Sequence, residues 1–311
     1  MEPSFRKRPE RPRGLLMGTA LVLILAFIVV LALFFVFSSL SPLFVGKCVA
    51  VVDINTELTV EGTPPSLLDV GSPGSEQIAS AIESLDKRDD VGAVLLVFNS
   101  PGGSIVATRE VYDAVKGLHK PKVSYFREMA ASGAYYVASG SDYIISDPNA
   151  ITGSIGVVAT VADMSGLLEK LGVNVTEIKS GAYKDMGSSF RNMTPEEQAI
   201  MQGIVDEVYQ DFRSVVLENR KGRLDQAKFD EVSDARILTG RQAAKIGLVD
   251  QTGTKKDAIL KAAELANMPA TSVENVRLCP VSTMSQDGGL LNVEGLIRGL
   301  EAKSGVSLNY R

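Results

Sequence analysis

The chain has 311 residues, 45% of them hydrophobic and 22% charged, with a formal net charge of −5. That is long and apolar enough for an anchor plus one sizeable α/β domain or two small ones, and it excludes a disordered or low-complexity protein. Acids interleaved with Lys and Arg leave no basic surface, so nucleic acid is excluded as a partner; a lone histidine and two cysteines match no metal-ligand spacing, and no cofactor is expected.

From Leu15 to Phe37 runs the uncharged stretch LLMGTALVLILAFIVVLALFFVF. As a helix it would rise about 34 Å, enough for the ~30 Å apolar core of a bilayer, and one transmembrane helix is predicted. Arg6, Lys7, Arg8, Arg11 and Arg13 precede it, whereas Ser38 to Phe44 carries no charge. The positive-inside rule then leaves the N-terminus in the cytoplasm and everything after Phe44 outside, in a single-pass protein of the cell membrane. A cleaved signal peptide is the competing reading, kept open by Ser39-Leu40-Ser41, but its apolar region is usually only about 7 to 15 residues. The resulting division is a basic N-terminus at 1–14, the span at 15–37, a linker at 38–47, a catalytic domain at 48–270 and a C-terminal extension at 271–311.

CVAVVDI, residues 48–54, reads as a first strand. Leu58 to Gly74, rich in proline and glycine, reads as a mobile excursion. A helix is predicted over Ser75–Lys87 from the stripe Ile78, Ala81, Ile82 and Leu85, and AVLLVF at 93–98 reads as a strand covered on both faces. The alternation continues with a helix at Ser104–Leu118, a strand at Lys122–Phe126, a helix at Ala131–Ser139, a strand at Tyr143–Ser146, a helix at Asp163–Leu171 and a strand at Val173–Ile178. Such a series implies a mainly parallel sheet with helices around it. Thr194-Pro195-Glu196-Glu197 is a strong helix start, with Thr194 and Glu197 placed for a capping box, and that helix runs to about Arg220. Shorter helices follow near Asp225–Glu231, Gly240–Ile246 and Lys255–Ala266. Cys48 and Cys279 lie far apart; an extracytoplasmic setting permits a disulfide, but the expectation is two unpaired, partly buried thiols.

His119, between a helix and a strand, has charged and turn-forming neighbours and reads as a solvated loop residue, so a serine nucleophile here needs another base, and lysine is the established substitute. Asn99-Ser100-Pro101-Gly102-Gly103 follows the apolar strand and could expose backbone N–H groups for an oxyanion hole or simply turn the chain. Met129-Ala130-Ala131-Ser132-Gly133 puts a serine among small residues at a helix start, as a nucleophile or as an N-cap. Lys179-Ser180-Gly181-Ala182-Tyr183-Lys184-Asp185 carries two lysines, and Asp185 would hold the proton on a neighbouring ammonium unless it points away. Ile151-Thr152-Gly153-Ser154-Ile155-Gly156 offers a lysine-orienting hydroxyl or a glycine-rich turn.

In this order, with Thr239-Gly240-Arg241-Gln242-Ala243-Ala244-Lys245-Ile246-Gly247-Leu248-Val249-Asp250 after them, these segments resemble the signal peptide peptidase A (protease IV) family across about residues 48–266. The resemblance implies a ClpP/crotonase-like α/β fold with a repeated β-β-α core around a mainly parallel sheet. It makes Ser132 the nucleophile, Lys184 the general base, Ser154 the lysine-orienting hydroxyl, and the Gly103 and Gly133 N–H groups the oxyanion donors. The implied activity is that of a serine endopeptidase using a Ser-Lys dyad on signal peptides or other extended peptides at the membrane. A homo-oligomer is implied as well, with Lys184 serving the Ser132 of an adjacent chain. A relative that cleaves stomatin-like membrane proteins is the nearest competing reading. An acyl-CoA crotonase, disfavoured by the extracytoplasmic topology, and a catalytically silent membrane scaffold follow it.

Overall fold

A computed structural model describes residues 24–32, 46–64 and 71–283. The chain divides into two compact units, Met1–Gly46 and Lys47–Arg311. In the first, residues 24–32 are helical with exposed apolar side chains. Among the described residues no helix is long and apolar enough to cross a membrane; the rest of the expected 15–37 span lies outside them.

The second unit is built on an eight-stranded sheet. Its strands are β1 (Cys48–Ile54), β2 (Val91–Ser100), β3 (Lys122–Ala131), β4 (Tyr143–Ser146), β5 (Ile151–Gly153), β6 (Ile237–Thr239), β7 (Gln251–Thr252) and β8 (Leu278–Val281). The order is β6-β5-β3-β2-β1-β8, with β4 pairing β3 and β7, and every pair is parallel except β5 with β6. The mainly parallel α/β architecture expected from the alternation is therefore present.

Side chains along a strand alternate between faces, and both faces here are covered. Ala50, Val52, Val94, Leu96 and Phe98 pack into one core with Ile78 and Ile82 of helix α1 (Ser75–Ser84), Val111 and Val115 of α2 (Ile105–Gly117), and Tyr135 of α3 (Gly133–Ser139). Val49, Val51, Leu95, Val97 and Val123 face a second core filled by Ala258, Ile259, Ala262 and Ala263. These last belong to α8 (Lys255–Leu265), which closes the helix series after α4 (Ser165–Lys170), α5 (Pro195–Asn219), α6 (Gln226–Val232) and α7 (Gly240–Ile246). Burial on both sides is why β1 and β2 read as unbroken apolar runs. The Thr194–Glu197 capping box forms, with the Glu197 N–H donating to Thr194 Oγ1 and the Thr194 N–H to Glu197 Oε2.

Several expectations need correction. No strand forms at Val173–Ile178: the β-branched alternation is present, but among the described residues no strand pairs with it, and a strand without a ladder has nothing to hold it. Leu58 is fully buried and bonded to the turn after β2, its N–H donating to Gly102 O at 2.7 Å and its carbonyl accepting from the Ser104 N–H at 2.8 Å. Thr63 pairs with Ser72. The described part of the expected excursion is thus tied down at both ends. Cys48 and Cys279 are joined in a disulfide, Cα–Cα 6.0 Å, because β8 brings Cys279 alongside β1 at the sheet edge. That same pairing draws residues of the expected C-terminal extension into the sheet.

Candidate active site

In open parallel sheets, sites form beyond the carboxyl ends of the strands. Here three of the singled-out segments leave the carboxyl ends of neighbouring strands: Pro101-Gly102-Gly103 after β2, Ser132 after β3, and Ser154 after β5. The pairings Ser100 with Ala130 and Ala131 with Gly153 bring their ends level. Sequence positions separated by dozens of residues are thereby gathered at one edge.

Ser132 takes φ 52° and ψ −126°, a region almost reserved for glycine that costs a residue with a side chain on the order of 1–3 kcal/mol. Its N–H is fixed by Gly153 O at 2.9 Å. The side chain makes no capping hydrogen bond to α3, so the N-cap reading does not describe what the hydroxyl does. The strained residue sits at the corner between β3 and α3.

The glycines before and after it are dictated by contact. Gly102 has φ 106°, and a Cβ there would lie 2.6 Å from the Gly133 N; a Cβ on Gly103 would lie 1.9 Å from Leu58 O. The buried Ser100 hydroxyl accepts the Gly102 N–H at 3.2 Å and shapes the turn. Neither the Gly103 nor the Gly133 N–H has a hydrogen-bond partner among the described residues. Ser132, Gly103 and Gly133 all line one cavity of about 310 Å³.

Tyr136 and Gly156, from the segments around Ser132 and Ser154, line it too, with Val157 and Val158; the walls from two helices were not legible in the sequence. Ile105, Thr108 and Arg109 come from α2, and Val208, Asp211 and Phe212 from α5. The only signal on α5 was the apolar pair Val208 and Phe212 at i, i+4. Arg109 pairs with Asp211 at 2.7 Å. Burial, with the Asp211 charge beside it, pushes the phenol of Tyr136 up to about 12, so its hydroxyl keeps its proton at this wall. Thr108 is 5% exposed and its Oγ1 has no partner among the described residues.

Lys184 and Ser154 do not line this cavity. Ser154 is half-buried with φ 50° and donates its N–H to Arg236 O at 3.0 Å. Lys184 is exposed, in a turn closed by its own N–H to Gly181 O at 3.2 Å. The Asp185 carboxylate does point elsewhere: it accepts from Arg191 and from Lys179, at 2.7 and 2.6 Å, and Arg191 first and Lys179 second hold it well below the usual carboxylate range. His119 is solvated, bonded to Asp86 at 2.9 Å with its side chain 93% exposed. It precedes β3 whereas Ser132 follows it, and ten residues of strand at about 3.3 Å each put the two roughly 30 Å apart.

The segment Thr239–Asp250 is structural. Arg220, fully buried at the end of α5, donates to both Asp250 oxygens at 2.8 and 2.9 Å and to Gly247 O at 2.8 and 3.0 Å. Gly247 ends α7 with φ 83°.

A parallel sheet that presents a strained serine at its carboxyl edge, beside unbonded backbone N–H groups, is the framework of a serine hydrolase. Comparison with known proteins narrows the class. The profile of peptidase family S49 matches residues 114–269, and that of Clp protease matches residues 68–152. A candidate protease of Methanocaldococcus jannaschii is 43% identical over 60% of this chain and 60% of its own length. One of Synechocystis is 38% identical over 66% of this chain and 74% of its own. A candidate signal peptide peptidase of Enterococcus faecium is 39% identical over 59% of this chain and 54% of its own. The chain belongs to peptidase family S49; it spans 60% of the length of the Methanocaldococcus relative and 54% of that of the Enterococcus one.

Proposed function

We propose that this protein is a membrane-anchored endopeptidase in which Ser132 is the nucleophile and Lys184 the general base, acting on signal peptides or other extended segments at the outer face of the membrane. The observation that carries the reading is Ser132 itself: a strained residue whose side chain makes no cap hydrogen bond, in the same cavity as two glycine N–H groups that are unbonded among the described residues.

In the proposed reaction the neutral amine of Lys184 takes the Ser132 proton as Oγ attacks the peptide carbonyl carbon, and the Gly103 and Gly133 N–H groups hold the oxyanion. The lysine ammonium returns the proton to the departing amine, leaving an acyl ester on Ser132. Water attacks that ester with Lys184 again as base, the acid is released, and Ser132 regains its hydrogen. Ser154, one residue beyond the carbonyl that holds the Ser132 N–H, is suited to orient the amine.

A lysine in water keeps its proton at neutral pH, so a base must be covered. Lys184 is exposed in the single chain, and apolar side chains near it in sequence are exposed too, Ile178 by 99% and Leu171, Tyr183 and Phe190 by about half or more. Such a surface is fitted to another copy, which supports a homo-oligomer in which Lys184 is covered against the Ser132 cavity of its neighbour. Anchoring rests on the apolar stretch 15–37 and its basic flank, and the disulfide fits an oxidising, extracytoplasmic setting. The signal-peptide substrate follows the name of the Enterococcus relative.

The test is hydrolysis of casein and a synthetic signal peptide by the full chain in detergent. Ser132→Ala and Lys184→Arg should each abolish turnover in a folded protein, the latter because guanidinium keeps its proton, while His119→Ala should change little. Mixing inactive Ser132→Ala and Lys184→Ala proteins should restore part of the activity once subunits exchange. A fully active Ser132→Ala or Lys184→Arg protein would refute the dyad.

A further inference from the structure

Lys184 and Asp185 are adjacent, and a free carboxylate beside an ammonium holds the proton on it. The geometry around this turn prevents that pairing. Asp185 Oδ2 accepts from Arg191 Nε at 2.8 Å, and Oδ1 accepts from Arg191 NH2 at 2.7 Å and Lys179 Nζ at 2.6 Å. The same guanidinium donates to both oxygens of Glu197, at 2.5 and 2.8 Å, and to Asn192 O at 3.0 Å. Glu197 is 2% exposed and its Oε2 also takes the Thr194 N–H at 2.9 Å. The capping glutamate of α5 is thus also the anchor of the Lys184 turn, and α5 is the helix that walls the Ser132 cavity.

The charged groups about the turn are Glu177, Lys179 and Arg191 of the loop and Glu196 and Glu197 of α5. Glu177 accepts from Ser188 at 2.9 Å, and no ion pair reaches Lys184 among the described residues. We propose that Arg191 is a positioning residue for Lys184: by occupying the Asp185 carboxylate and bridging it to Glu197, it keeps the neighbouring ammonium free of a carboxylate partner and fixes its turn to α5. This rests on Lys184 being the base. Only an arginine serves, because its planar fork spans two carboxylates, which an ammonium does not.

The test is the pH dependence of peptide hydrolysis by the full chain. Removing Arg191 alone would strand the buried Glu197 carboxylate, so the working variant is Arg191→Gln with Glu197→Gln. In it Asp185 keeps only Lys179, on Oδ1, so its Oδ2 is open to the Lys184 ammonium, and the pH of half-maximal activity should rise by about one unit, with the high-pH plateau within about twofold of the parent. Adding Asp185→Asn should return the profile to the parent position. An unmoved profile, or a loss equal at every pH that Asp185→Asn does not relieve, would reduce Arg191 to a structural role and overturn the proposal. If that variant does not fold, Arg191→Lys replaces it; a smaller rise, again reversed by Asp185→Asn, supports the proposal, and no rise overturns it. The parent controls separate the two failures: an active Lys184→Arg protein removes the dyad and this proposal together, whereas an inactive one with an unmoved Arg191 profile removes this proposal alone.

Discussion

The Thr108 hydroxyl lies against Gly133 so closely that a methyl group on that glycine would fall 2.3 Å from Oγ1 and 3.3 Å from the Gly103 N. The small residue after Ser132 is therefore set by a side chain on α2 as well as by the turn.

Gly133→Ala should destabilise the fold by about 1–3 kcal/mol through overpacking. Thr108→Ala, which removes both Oγ1 and the methyl group, should recover much of that loss when the two are combined. Urea denaturation of the two single variants and the double measures the coupling; strictly additive losses would mean that the contact does not set the glycine.

Arg220 and Asp250 form an ion pair buried at the end of α5, with the Gly247 carbonyl in the same fork. Arg220→Met leaves Asp250 with Arg223 at 3.3 Å and the Ile144 N–H at 2.7 Å, and should cost about 3 kcal/mol, the low end for removing one partner of a buried pair. Denaturation at neutral pH checks it, and a loss under about 1 kcal/mol would show that the carboxylate finds other solvation.

Arg191 first, and then the Thr194 N–H, lower the Glu197 carboxyl to about 2 from its usual 4.5. A carboxyl lowered on folding adds stability that is complete above the unfolded value and lost as pH falls through the folded one. The stability gap between the parent and Glu197→Gln should accordingly be constant from neutrality down to about pH 5 and close between there and about pH 2. Denaturation midpoints across that range test it; a gap that persists unchanged at pH 2 would contradict the Arg191 contact.

The disulfide spans 231 residues of chain. Reducing it should lower stability by about 2–4 kcal/mol. Thermal melts with and without reductant should differ for the parent and coincide for a Cys48→Ser/Cys279→Ser variant. Coincident parent curves, with free thiols shown by labelling, would mean that the crosslink adds nothing.

What was legible in the sequence was what local chemistry fixes. β1 and α7 fall at their expected bounds because an apolar run and a Thr cap with a closing glycine define them. The short strands β5 to β8, unlike the apolar β4, carry no pattern that marks them, and exist only because a neighbour supplies the ladder. The small residues about Ser132, Gly103 and Gly133 marked a place of close approach, and these three do converge. Thr108 was hidden because a threonine on an amphipathic helix looks like any core residue. Arg191 was hidden because its partners lie six residues to either side across an irregular loop, where no periodicity leads from one to the other. The cysteines gave no sign of pairing, since what joins them is the edge of a sheet.

The position of β8 also bears on how the chain comes to be folded. β1 has one neighbour close behind it in β2, but its other neighbour includes Cys279, which follows Cys48 by 231 residues. At a synthesis rate of about 5–20 residues per second, the outer edge of Val49 to Val52 stays without a partner for roughly 10 to 50 seconds. Four apolar, β-branched or small residues with unpaired backbone groups are an adhesive surface during that interval. Until β8 arrives a nascent chain of this kind carries that edge uncovered, and a version shortened before Leu278 should carry it permanently and aggregate, which light scattering of the truncated protein would show.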